Sequence, residues 1–241
     1  MPVPRLKFYT DVYRPDAKIW RFLSVLVLSG VAFGLYRGIQ DNYLADMVNI
    51  TPFERGIVEF FRETPGLLLV FILALMYRFS ESKIFKIGVA IMAGGVAGLL
   101  LTSSSQFFMT KFFVVVFMVI FSTGEHLVMP VRTTISMDLA KREKAGASLG
   151  ITSSITQLGH IIGFFLVTII FFFLARMGFE RTDIFGYRIV FGASVSLMIV
   201  SVMVALALKE TSLKTQRRRF YFTPGGYGPK PLCGRLRGRY F

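Results

Sequence analysis

Glu59, Arg62 and Glu63 stand at i, i+3 and i+4 inside an otherwise apolar run, so a helix there carries all three on one face. A charge at bilayer depth costs about 2.5–3.5 kcal/mol on insertion scales, so each such residue needs a partner or a task. Two readings fit the trio. It is a substrate or coupling-ion site facing a central cavity, or an internal ion pair in which Arg62 neutralises one carboxylate while the other sits among headgroups. At about 1.5 Å of rise per residue, Glu63 reaches roughly 10–12 Å in from the outer end of its run. Pro65 follows directly and is placed to break the helix, which suits a gating span.

Arg37 and Asp41 are one helical turn apart, with Asp41 at the outer interface and Arg37 a turn deeper. Arg37 is suited to bind an anionic group or to pair with a carboxylate of the second span; snorkelling to headgroups is the alternative. Both histidines, His126 and His160, fall within apolar runs, beside Glu125 and Gly159. A histidine–carboxylate pair loads and releases a proton near neutral pH, as a proton-coupled carrier requires. A neutral histidine bonded to a neighbouring helix is the structural alternative. Arg132, Lys141, Arg142 and Lys144 read as topology-setting charges that touch anionic lipid, with a gate-closing contact from Arg132 or Arg142 to Asp138 as the sharper version.

The elements that must hold these residues follow from composition. The chain has 241 residues, 54% hydrophobic and only 17% charged, where a soluble domain carries roughly a quarter charged. The deficit comes as apolar runs of bilayer-crossing length. These predict six spans, at residues 19–40, 56–79, 84–104, 107–131, 146–175 and 187–208. They lack the period-two alternation of barrel strands, so the fold class is all-α, a polytopic membrane protein. Residues 1–18 form a polar N-terminal segment. Residues 209–241 form a basic linker and tail, rich in Gly, Pro and Arg after Phe222, a shift that also fits a change of reading frame.

Twenty of the 28 basic residues fall on one side of this topology. The positive-inside rule makes that side cytoplasmic and puts both termini there, in a cell (inner) membrane. The net charge of +14 is therefore read as topology, not as a nucleic-acid footprint. The single cysteine, Cys233, excludes a disulfide framework and a multi-cysteine metal site. No apolar segment with a small-residue cleavage site opens the chain, so no removable signal peptide is expected. Neither HExxH, GxSxG nor a phosphate-binding glycine loop occurs, so no enzyme and no cofactor are expected. The glycines of the fifth span, with Gly94 and Gly98 on the third, form small-xxx-small faces for close helix packing.

Gly124, Pro130, Asp138, Gly146 and Gly150 share the register of a motif at the fourth and fifth spans of major facilitator superfamily transporters. Gly150, Gly159 and Gly163 keep the spacing of that family's antiporter-type motif, with Phe164 in place of its proline. In the segment 73–83, Leu75, Arg78 and Lys83 match the family's loop signature. The chain thus resembles the N-terminal six-helix half of such a transporter, over about residues 19–215. The resemblance implies two three-helix repeats and secondary transport of a small solute by alternating access, as symport or antiport coupled to protons or another ion. It also implies a second six-span half, in a homodimer or on a separate chain. A truncated, non-transporting membrane subunit that binds a partner protein is the other reading.

Overall fold

The computed structural model describes residues 11–14, 17–104, 111–180 and 182–208. Seven helices are found among them: α1 (Ala17–Asp46), α2 (Pro52–Leu67), α3 (Leu69–Leu75), α4 (Glu81–Ser104), α5 (Lys111–Leu139), α6 (Ala145–Arg176) and α7 (Ile184–Leu206). No strand occurs among the described residues. Tyr13 and Ala140 make only an isolated antiparallel bridge. Five helices, α1, α4, α5, α6 and α7, are long and apolar enough to cross a membrane. The chain is an integral membrane protein of all-helical fold.

The expectation of six continuous spans is corrected at the second. Residues 56–79 do not form one helix. The chain is helical through Pro65 to Leu67, breaks at Leu68 (φ −86°, ψ 0°) and resumes as the seven-residue α3. Pro65 lacks the N–H that would bond back along the helix, so the backbone ladder is already weakened one turn before the break. Elsewhere the spans hold, with moved ends. α1 runs six residues past Gln40, so Asp41 and Asp46 lie in its last turns and not in a loop. α5 continues through Pro130 to Leu139. The start of α2 has a local cause: Thr51 and Glu54 form a capping box, and Pro52 occupies the first turn, where its missing N–H costs nothing. The tail 209–241, including Cys233, and residues 107–110 of the fourth predicted span lie outside the described residues.

Two glycine seams bring the long helices into backbone contact. In the first, α1 meets α6. A Cβ on Gly159 would lie 3.1 Å from the Cα of Gly30, and one on Gly34 would lie 2.9 Å from the Cα of Gly163. In the second, α4 meets α5. A Cβ on Gly95 would lie 2.6 Å from the Cα of Phe121, and one on Gly124 would lie 2.5 Å from the carbonyl oxygen of Gly88. Lipid offers no hydrophobic drive for helix association, so close backbone approach is what small residues contribute here. Gly98 receives the ring of Phe117, whereas Gly94, Gly146 and Gly150 meet nothing within 4 Å. The packing role expected for those three is therefore not seen.

Around the seams, one apolar cluster joins Tyr36, Tyr43, Phe121 and Phe191, and a second joins Phe22, Phe85, Leu127 and Ile135. At one end of the bundle, Lys141 N–H donates to Val12 O at 2.8 Å and Arg14 N–H to Leu139 O at 3.3 Å. Tyr13 is buried there and donates its hydroxyl to Ser148 O at 3.2 Å. Residues 12–14 and the α5–α6 connection therefore lie at one end of the bundle.

Candidate functional site

The charged residues of α2 form a ladder that leads inward. Arg55 pairs with Asp41 of α1 and stands 3.1 Å from Glu59. Arg62 then holds Glu59 at 2.6 Å and Glu63 at 2.5 Å. Glu63 in turn lies 3.5 Å from Nε2 of His126 on α5. Acidic and basic groups alternate, so each buried charge has an opposite neighbour, and the helical i, i+3, i+4 spacing places them in a row. Arg62 is an internal counter-ion, and it engages both carboxylates where the ion-pair reading gave it one.

His126 can approach α2 because Gly66 gives it room: a Cβ there would lie 2.5 Å from the imidazole Nε2. Its Nδ1 lies 3.1 Å from the Ser122 hydroxyl and 2.9 Å from Ser122 O, and the Ser122 hydroxyl donates to Arg62 O at 2.5 Å. At the outer end, Lys111 ties Glu54 of α2 to α5 at 2.6 Å. The Lys111 ammonium, helped by the Thr51 backbone and hydroxyl, holds the Glu54 carboxyl down to about 2.

Arg37 and Asp41 do not meet. Asp41 goes to Arg55, and Arg37 donates to Gln40 Oε1 at 2.8 Å. The Tyr36 hydroxyl and Gln40 Nε2 beside it are buried without a hydrogen-bond partner among the described residues. Arg37, Arg62, Glu59 and Glu125 are all within electrostatic range of that hydroxyl. Sequence reasoning passed over Tyr36 and Gln40. Their i, i+4 spacing around Arg37 was the available signal.

Glu125 and His126 do not pair. Glu125 turns into a cavity of about 100 Å³ bounded by α1, α4, α5 and α6, which also takes in Arg132 and His160. One oxygen of Glu125, Oε2, is buried with no hydrogen-bond partner among the described residues. Arg132 lines the same cavity and donates to the Thr156 hydroxyl at 3.2 Å. It makes no ion pair with Asp138, and neither does Arg142, among the described residues. Arg132 is thus an interior residue, where lipid contact was expected. His160 stacks on Phe33 with ring centroids 4.3 Å apart. Beyond it, Ser136, Ser148 and Thr152 form a buried hydroxyl cluster between α5 and α6, with Ser136 and Ser148 2.7 Å apart.

The remaining motif residues are spread out. Gly124, Gly159 and Gly163 lie in the seams, and Pro130 lies inside α5. Arg78 lies over the Tyr77 ring, and Lys83 is at the start of α4.

A helical bundle with an ionisable interior at bilayer depth defines a polytopic membrane protein with a built polar site. The family model described as PUCC protein matches residues 5–213, and the chain belongs to that family. This overturns the resemblance to a six-helix half of a major facilitator transporter, as does the count of seven helices. The motif glycines that suggested it are explained in part by packing alone: Gly124, Gly159 and Gly163 are demanded by a neighbouring backbone, whatever the family. Curated proteins give no match to the chain.

Proposed function

We propose that this chain is a membrane carrier that binds a small polar solute in the Glu125 cavity and exposes it alternately to the two sides of a cell membrane. The observation that carries the reading is the Glu125 carboxylate, which faces that cavity with a buried oxygen that has no hydrogen-bond partner among the described residues. In a hydrocarbon setting, such a group is costly unless something binds it. A second, ionic layer lies outside it, where Glu63 and His126 meet between α2 and α5. A proton or another ion taken up there couples to the solute through Arg62, which is within electrostatic range of Glu125. The interrupted α2–α3 segment is the element suited to move, because its helix breaks at Leu68, one turn past Pro65. On this reading both termini are cytoplasmic and the protein is not an enzyme.

Uptake into proteoliposomes under an imposed pH gradient or membrane potential tests this. Solute uptake that follows the gradient and is lost in Glu125→Gln supports a carrier. Absence of uptake from every solute pool tested rejects it. A second reading, a non-transporting membrane subunit, is favoured by the apolar outer face of α6, where Leu158, Ile161, Phe165 and Phe173 are exposed. Stable co-purification of one membrane partner, lost when that face carries charged residues, favours the subunit.

A further inference from the structure

The cavity has two poles. Glu125 and Arg132 are both on α5, seven residues apart, which on a helix means the same face at about 10 Å separation along the axis. Both line the cavity, and they are within electrostatic range of each other, yet no hydrogen bond or ion pair joins them among the described residues. Each is under-used. An arginine has five N–H donors in a fixed fork, and Arg132 spends one on a neutral hydroxyl, that of Thr156. Glu125 keeps a buried oxygen with no hydrogen-bond partner among the described residues. The rest of the polar lining is neutral: Ser29, Ser153, Thr156, Gln157 and the His160 ring.

This arrangement discriminates among solute classes. A simple anion satisfies Arg132 but adds a like charge beside Glu125. A simple cation satisfies Glu125 and leaves the guanidinium without a counter-charge. A neutral solute leaves both poles unmet. Only a solute bearing an ammonium at one end and a carboxylate at the other answers both. On the reading that this cavity binds solute, we infer that its ligand is a small zwitterion, held with its ammonium at Glu125 and its carboxylate in the fork of Arg132. The fork geometry favours a carboxylate, which accepts two parallel N–H bonds.

The test is equilibrium binding to the full chain in detergent at pH 7, read as thermal stabilisation. The probes are a series of unbranched ω-amino acids, from glycine to δ-aminovalerate, with butyrate and butylamine as single-charge controls at matched ionic strength. The expected result is saturable stabilisation by one or two chain lengths, with the controls at least about tenfold weaker, the size of one lost charged hydrogen bond. Glu125→Gln and Arg132→Gln should each abolish the preference for the two-ended probe. Circular dichroism and the unliganded melting temperature show whether each variant folds, and Arg132→Lys, which keeps the charge without the fork, should retain weakened binding. Equal binding of butyrate or butylamine alone overturns the zwitterion while leaving a solute cavity in place. Failure of every probe against the folded wild-type chain overturns both.

Discussion

Glu125 and His126 are adjacent in the chain and serve different compartments. The imidazole of His126 lies 3.5 Å from the Glu63 carboxylate of α2, while the Glu125 side chain enters the cavity shared by α1, α4, α5 and α6. One hundred degrees of helical rotation separates consecutive residues, and here it divides the ionic ladder of α2 from the cavity. A disturbance of α2 therefore has a short path, through Arg62 and the Ser122 hydroxyl, to the helix that carries Glu125.

Arg62 should be the least replaceable member of the α2 ladder. It holds two carboxylates and is 14% exposed, so Arg62→Leu removes the cation they share and leaves Glu59 only Arg55 and Glu63 only the His126 imidazole. A loss of about 1–2 kcal/mol in unfolding free energy is expected, below that of a broken buried pair because Glu63 is 51% exposed and Glu59 keeps Arg55. Asp41→Asn removes a partner that is 72% exposed, and should cost less than about 1 kcal/mol. Denaturation in mixed micelles measures both.

The seam between α1 and α6 should reject any side chain. Gly163→Val drives a branched group into Gly34 and the carbonyl of Val31, and Gly34→Val does the same from the other side. Each should cost at least about 1–3 kcal/mol, the usual range for overpacking, and more where backbone must yield. Gly146→Ala and Gly150→Ala meet open space and should be neutral or slightly stabilising, as helix propensity favours alanine. Thermal unfolding of the four variants separates the two classes.

The Glu54–Lys111 contact should show as a pH-dependent tie between α2 and α5. The folded carboxyl sits at about 2, below its ordinary value of 4.5. The folded state therefore favours the ionised form. Its contribution is complete above pH 4.5 and fades as pH falls from there toward 2. The stability difference between wild type and Glu54→Gln should be constant from pH 7 to 5 and shrink below that. Both groups are partly solvated, so the difference is small and should fall further in high salt.

The N-terminal strap should control access to the α5–α6 end. Tyr13→Ala empties a buried aromatic site and frees Ser148 O, at a cost of about 3 kcal/mol by analogy with large-to-small aromatic truncations. Tyr13→Phe keeps the ring and should cost about 1 kcal/mol, the worth of one hydrogen bond. A cysteine placed at buried Ser148 should label faster in the Tyr13→Ala background than in Tyr13→Phe.

The sequence by itself settled the solvent and the element type. Apolar runs of bilayer length with few charges leave helices as the only economical backbone, and five of the six predicted spans are helices of spanning length. Spacing along one helix was equally legible: Glu59, Arg62 and Glu63 do share a face, because helical rise and rotation are the same everywhere. The Thr51–Glu54 capping box and the partner glycines Gly30 and Gly34 are local signals of the same kind. The tertiary structure alone decided which helix each face meets. It sent Asp41 to Arg55 and not to Arg37, parted Glu125 from His126, and drew Arg132 inward to Thr156. It also placed the helix break at Leu68, past the proline. Periodicity fixes a residue's angle on its own helix, whereas partners depend on how close two helices approach and at what rotation. In this bundle that is set by backbone contacts between glycines far apart in the chain.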